Sequence, residues 1–223
     1  MDLVFLGMNP AGEKTLEWLK EREDVELLVS IKEKKNLGLI EEERPELVIS
    51  SGFEHKVPKE ILEVPEKGVV NLHPSFLPFN RGAHPYVWPL IDGTPAGVSI
   101  HYMNEGIDEG PVISRRKVEK KETDTAKDLY DRLQHEMFQL FKDSWRDIKK
   151  GVEGSEQDLA KGTVHKSSDL DDLASINPNE EFKAKELVDL LRALSFPPHG
   201  MASIDGKFLE LNVRENVGDE PKH

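Results

Sequence analysis

Four runs of continuous apolar character, at residues 2–8, 25–31, 46–50 and 68–72, constrain this chain more than any other feature. A strand with one wet face alternates polar and apolar residues. A strand that is apolar throughout is covered on both faces. Helical stretches separate the runs. After the first run, Asn9-Pro10 reads as an N-cap followed by proline at the first helical position. Leu16, Trp18 and Leu19 then supply apolar positions near helical spacing, up to about Arg22. Strands alternating with helices in this way indicate an α/β chain.

Farther along the chain the pattern changes. Residues 97–103 alternate, as on a strand with one solvated or site-facing side, and residues 111–117 are placed to pair with them. A long amphipathic helix is expected over 125–150. Ala126, Leu129, Tyr130, Leu133, Met137, Leu140, Phe141, Trp145 and Ile148 form its core-facing stripe, and Gly151 lies just past its end. The expected fold is a Rossmann-like, mostly parallel sheet with helices on both faces over residues 1–150. Residues 151–223 form a small C-terminal appendage. They read as a loop with a short strand near 163–165, a helix over 184–194, and a hairpin of 201–204 with 208–213 about Asp205-Gly206. Asp-Gly between apolar strands favours a type I′ turn. The tail from Arg214 is charged and expected to fray.

Composition removes several classes of function. With 43 acids against 30 bases the net charge is −13 over 223 residues, which disfavours sequence-independent binding to a phosphate backbone. Cysteine is absent, so disulfides, thiolate metal sites and cysteine nucleophiles are excluded together. No run of 18 apolar residues exists, so no helical membrane span is expected. The N-terminus enters a strand without a basic region, and a cytoplasmic location is expected. The first turn reads Gly7-Met8-Asn9-Pro10-Ala11-Gly12, which lacks the dinucleotide fingerprint, and there is no P-loop.

The chemistry-bearing residues concentrate after the fourth strand, where open α/β sheets bind ligands. Asn71 and His73 are two apart, so on an extended backbone they share a side. An amide and an imidazole converging there suit a carbonyl that becomes a tetrahedral oxyanion. The same two residues also fit a turn cap and a satisfied loop histidine. A second cluster, Asn104-Glu105-Gly106-Ile107-Asp108-Glu109-Gly110, follows the alternating strand. A carboxylate brought beside His73 would orient it and raise its basicity. An acidic turn between two strands is the competing reading. No metal-ligand pattern is present.

Taken together, Asn71-x-His73-x-Ser75-x-Leu77-Pro78, then Arg81-Gly82, then Gly106-x-Asp108-x-Gly110, resembles the folate-dependent formyltransferase family. The resemblance covers residues 1–150 in layout and is sharpest over 50–110. It implies 10-formyltetrahydrofolate as donor and a primary amine as acceptor, with direct attack on the formyl carbon and no metal. Asn71, His73 and Asp108 fall on the family's catalytic trio. The pterin pocket is implied between the loop after the third strand and the aspartate loop. Gly52, Phe53, His55, Val57, Leu77, Glu105, Gly106 and Ile107 are the candidates there, with Phe53, Val57 and Leu77 equally readable as core.

The appendage is similar to that of nucleotide-sugar N-formyltransferases, through Asn80-Arg81-Gly82-Ala83-His84-Pro85-Tyr86-Val87-Trp88-Pro89, Gly162-Thr163-Val164-His165 and the stretch from Leu191 to Pro198. It departs from them at Met201-Ala202-Ser203, where aromatic residues are usual. The resemblance implies a nucleotide-linked amino sugar as acceptor, with Ser75, Arg81, Gly82, His84, Trp88 and Arg192 as contact candidates and Arg81 and Arg192 as the diphosphate cations. Glu105 is a candidate for the acceptor ammonium. Glycinamide ribonucleotide and methionyl-tRNA are the alternative acceptors, and a non-catalytic folate-binding module is the alternative to an enzyme. The acid excess speaks against tRNA. Phe208, Leu209 and Leu211 in the last hairpin suit edge-to-edge pairing in a homodimer.

Overall fold

The structure is a computed structural model that describes residues 1–209 and residue 211. Its elements in chain order are β1 (Asp2–Leu6), α1 (Pro10–Lys20), β2 (Glu26–Ile31), α2 (Leu39–Glu43), β3 (Leu47–Ser51), α3 (Lys59–Leu62), β4 (Val69–His73), β5 (Arg81–Gly82), α4 (Trp88–Ile91), β6 (Gly97–Tyr102), β7 (Val112–Lys117) and α5 (Ala126–Lys150). They continue with β8 (Val164–His165), α6 (Ser167–Ala174), α7 (Ala184–Ala193), β9 (Ser195–Phe196), β10 (His199–Gly200), β11 (Ala202–Ile204) and β12 (Lys207–Leu209).

Six strands form the central sheet in the order β2-β1-β3-β4-β6-β7. The pairs β1–β2, β1–β3 and β3–β4 are parallel, whereas β4–β6 and β6–β7 are antiparallel. Three of the apolar runs are buried on both faces; the run over 25–31 is corrected, because as the edge strand β2 it is mostly half-buried or exposed and only Ile31 is fully covered. Leu3 and Phe5, Leu47 and Ile49, and Val70 and Leu72 face one layer, packed with α1 and α5. Val4 and Leu6, Val48, and Val69 face the other, with Ile31, Ile40, Val57 and Ile61.

Local signals place the two long helices. Asn9 caps α1, its side-chain oxygen accepting from the Gly12 N–H at 2.7 Å. Thr125 and Asp128 form a capping box at the start of α5, and Gly151 ends that helix with φ 66°. Trp18 meets Phe141 and Trp145 edge-on at 5.8 and 5.7 Å, which joins α1 to α5 across the first layer. Among the described residues no helix is long and apolar enough to cross a membrane.

One expectation for the appendage changes. Residues 167–174, read as loop, form α6. Asp169 accepts the Lys166 N–H at 2.8 Å, and Leu170 is buried beneath, so one cap and one anchor suffice in a segment rich in acids. The proline pair at 197–198 links a short hairpin, β9 with β10. The closing hairpin forms about Asp205 and Gly206, both with positive φ (47° and 72°), but its second strand is β12 at Lys207–Leu209. The expected strand over 208–213 and the tail from Arg214 fall in part or wholly outside the described residues.

Candidate active site

Asn71 and His73 point the same way from the end of β4, and β6 lies antiparallel beside them with Asn71 opposite His101 and His73 opposite Ser99. The Asn71 side-chain amide lies 3.2 Å from His101 Nε2. His101 Nδ1 donates to the Tyr102 carbonyl at 2.8 Å, which fixes the ring with Nε2 toward the cluster. The Asp108 carboxylate lies between the two imidazoles, 3.6 Å from His73 Nε2 and 3.4 Å from His101 Nε2. Its Oδ2 also accepts the Gly82 N–H at 2.9 Å. His73 Nε2 faces a second acceptor, the Asn80 carbonyl, at 3.3 Å. Two acceptors on one side assign the proton to that nitrogen.

Electrostatics follow from burial. Desolvation depresses the His73 imidazole and the Asp108 carboxylate only partly restores it, so the ring is neutral at pH 7. Burial pushes the Asp108 carboxyl up, but His73, His101 and the Gly82 N–H outweigh that and hold it below the usual carboxylate range. The site therefore holds an anion between two imidazoles, beside an amide. That arrangement can donate hydrogen bonds to a developing oxyanion and can accept or return a proton.

The structure brings together the three residues singled out in sequence and adds a fourth, His101. No motif marks His101. Only the antiparallel register, opposite Asn71, identifies it. Of the loop after β3, Gly52 has φ 73°, and a Cβ there would lie 2.7 Å from the Asn9 side chain, so glycine is required. Phe53 is half-buried with His55 edge-on at 5.4 Å. Lys59 reaches Glu105 at 3.9 Å, which places this region next to the Asp108 loop. Glu105 is exposed, Gly106 accommodates the Glu109 side chain, and Ile107 is 53% exposed. Val57 and Leu77 are fully enclosed core residues with no face to offer a ligand.

The residues expected to contact the acceptor diverge. Gly82 is in the cluster through its N–H. Arg81 is buried and paired with Glu109 at 2.7 Å, which neutralises its charge. Ser75 is buried, and its Oγ has no hydrogen-bond partner among the described residues. His84 is half-buried against Tyr86 at 3.2 Å. Two expectations are corrected. Trp88 is buried, stacked on His165 with ring centroids 3.9 Å apart and its N–H on the Ala83 carbonyl, so its faces are not open to a base. Arg192 is buried and committed to Asp189 (2.8 Å) and the Asp124 carbonyl (2.8 Å), where it ties α7 to the start of α5 rather than meeting a diphosphate.

Comparison with known proteins gives a consistent result. Residues 22–143 match the Formyl transferase family, and residues 169–215 match the N-formyltransferase dimerization C-terminal domain. A methionyl-tRNA formyltransferase of Clostridioides difficile is 35% identical over 66% of this chain and 47% of its own length. A dTDP-4-amino-4,6-dideoxyglucose formyltransferase of Mycobacterium bovis is 30% identical over 69% of this chain and 64% of its own length. The chain thus spans about half to two thirds of these relatives. Among solved structures, a sugar N-formyltransferase from a Shewanella species is similar with TM-score 0.86 and 25% identity, covering 96% of this chain and 98% of that one. A formyltransferase of Anoxybacillus kamchatkensis, in complex with UDP-4,6-dideoxy-4-formamido-L-AltNAc and tetrahydrofolate, is similar with TM-score 0.67 and 31% identity, covering 77% of this chain and 89% of that one. With more than half of its length in the first match, the chain belongs to the formyl transferase family.

Proposed function

We propose that this protein transfers a formyl group from 10-formyltetrahydrofolate to the primary amine of a nucleotide-linked amino sugar. The observation that carries the reading is the convergence of Asn71, His73 and Asp108, from a strand end and a separate loop, on one point. In the proposed reaction the neutral amine attacks the formyl carbon and the carbonyl oxygen becomes an oxyanion. The Asn71 amide and the His73 Nε2–H donate to that oxygen. The intermediate collapses with cleavage of the bond to N10 of the folate. The proton lost by the amine passes to N10 through His73 and Asp108, so the products are the formamide and tetrahydrofolate. Phe53 and Ile107, on the two loops joined by Lys59 and Glu105, supply apolar surface suited to a flat pterin.

The sugar acceptor is supported by near-complete overlap with the Shewanella sugar N-formyltransferase, against less than half of the length of the Clostridioides methionyl-tRNA enzyme. The net charge of −13 points the same way, since a tRNA surface needs clustered cations. The catalytic unit is assigned to residues 1–150 and the appendage to 151–223, with the appendage pairing two copies.

The test is formyl transfer with 10-formyltetrahydrofolate and a panel of dTDP- and UDP-linked amino sugars, glycinamide ribonucleotide and methionyl-tRNA. Tetrahydrofolate release with an amino sugar, lost in His73→Ala while folate still binds, is the expected result. Turnover with methionyl-tRNA or the ribonucleotide alone would replace the acceptor. Folate binding without turnover on any amine would leave a binding module.

A further inference from the structure

The residues around Asp108 raise a positional problem. β6 runs antiparallel to β4, so the chain leaves β6 at the level of Val69, where the Met103 N–H meets the Val69 carbonyl at 2.7 Å. His73 lies at the other end of β4. The Asp108 loop must therefore turn back over the sheet face to bring its carboxylate between His73 and His101, the latter opposite Asn71. Side chains of the loop tie it on one side, Glu109 to Arg81 at 2.7 Å and the Asp108 carboxylate to the Gly82 N–H at 2.9 Å. Its Asx turn at Asn104 and its two glycines shape it, and Asp108 sits at φ 51°, in the left-handed region that Asp tolerates better than most non-glycine residues.

The loop's main chain is held from 49 residues downstream. Gln157 Nε2 donates one hydrogen to the Asp108 carbonyl at 2.8 Å and the other to the Gly110 carbonyl at 2.7 Å. Gln157 is itself anchored, because Ser155 exchanges two backbone hydrogen bonds with Val112, each 2.8 Å. The same segment continues to the other side of the site. The Thr163 hydroxyl accepts the Asn80 N–H at 2.8 Å and its carbonyl accepts the Arg81 N–H at 3.0 Å. Gly82, next along, donates to the Asp108 carboxylate. Residues 155–165 thus grip both loops that meet at Asp108, and they lie between the two matched regions, 22–143 and 169–215.

We propose that Gln157 is a positioning residue whose amide clamps the backbone carbonyls of Asp108 and Gly110 and so sets the Asp108 carboxylate against His73 and His101. The proposal rests on the reading above that Asp108 serves formyl transfer. Because the clamp grips main chain, it fixes the height and plane of the turn without depending on the side chains the loop carries.

The test compares wild type, Gln157→Met, Asp108→Asn and the double variant. Gln157→Met keeps length and apolar volume and removes both donors. The expected result is a fall in kcat of about 10- to 100-fold with KM for both substrates within about threefold, because placement and not binding is lost. In the Asp108→Asn background the same change should cost less than about threefold, because both act through one carboxylate. A second readout needs no turnover. By NMR, the His73 titration midpoint should move to lower pH in Gln157→Met, as in Asp108→Asn, because the ring loses its carboxylate neighbour. A lower melting temperature with kcat and the His73 titration unchanged would overturn the proposal, as would costs that multiply in the double variant. If wild type transfers no formyl group, the functional reading fails while the NMR comparison still decides the clamp. Should Gln157→Met not fold by circular dichroism, Gln157→Ala, which leaves room for water on the two carbonyls, is judged by the same criteria.

Discussion

Replacing Asp108 with asparagine keeps the shape of the cluster and removes its charge, and the cost follows from the geometry. The amide oxygen of Asn can still accept the Gly82 N–H, now 2.9 Å from Oδ2. What disappears is the attraction between a carboxylate and any positive charge that develops on His73, 3.6 Å away. At an effective dielectric constant of about 20, a unit charge pair at that separation is worth about 4–5 kcal/mol. At 1.36 kcal/mol per decade this corresponds to a loss of ~10³-fold in kcat/KM. Stability should fall as well, because the contacts that hold the Asp108 carboxyl below the usual carboxylate range outweigh its desolvation cost and are weakened when the charge is removed. The assay is steady-state formyl transfer with a competent nucleotide amino sugar, paired with thermal melting of the same preparation. A folded Asp108→Asn protein that retains more than about a tenth of wild-type kcat/KM would refute the charge argument. The carboxylate would then serve only as a hydrogen-bond acceptor.

Four further outcomes follow. His73, His84 and His165 all have pKa values depressed by burial, so the unfolded chain binds protons that the folded chain does not. Stability should therefore rise with pH through the histidine range, with buried His73 contributing up to ~1.4 kcal/mol per pH unit below about 6.5 and the more exposed His84 and His165 less; melting temperatures equal at pH 5.5 and 7.5 would contradict this. Gly110→Ala puts a Cβ into the Tyr102 carbonyl, so denaturant midpoints should fall by a few kcal/mol in stability together with a loss of turnover. Phe141→Ala empties a fully buried ring between α1 and α5 and should cost about 3–5 kcal/mol in urea unfolding, with the m-value unchanged. Phe208 is 76% exposed on the closing hairpin of the region matched to a dimerization domain, and Phe208→Glu should reduce the mass seen by light scattering to that of one 25.3 kDa chain.

The elements that the sequence announces are those whose signals are local. Asn9-Pro10 starts α1, Thr125 and Asp128 start α5, Gly151 ends it, and three of the apolar runs need no partner to be read as buried strands. Asn71 and His73 are legible because strand geometry alone puts them on one side. The unread features depend on contacts distant in sequence. α6 lacks a wide apolar stripe and rests on Leu170 and one cap. His101 gains meaning only from a partner 30 residues away. Gln157 sits in a segment with no periodicity, and its role is set by two carbonyls 47 and 49 residues earlier. Trp88 and Arg192 show the reverse. Their side-chain types suit ligand contacts, but His165 and the Ala83 carbonyl take up Trp88, and Asp189 takes up Arg192.

The antiparallel step from β4 to β6 binds fold and site together. On one face of this strand pair Val70 lies opposite Tyr102 and Leu72 opposite Ile100, all packed in the layer with α5. On the other face Asn71 lies opposite His101 and His73 opposite Ser99. Ser99 continues the polar face, its hydroxyl donating to the Ser75 carbonyl at 2.7 Å and accepting the Leu77 N–H at 3.1 Å, which fixes the chain just beyond His73. Because side chains alternate with a period of two, a slip of one residue would turn His101 into the core under α5 and Ile100 into the site. Ile100 on the polar face would set an apolar side chain where Asn71 and Asp108 meet a polar one, and His101 cannot enter the apolar layer without losing its partners. The packing against α5 that holds the sheet therefore also sets which side chains meet Asp108, so the register of the site and the core register are one constraint.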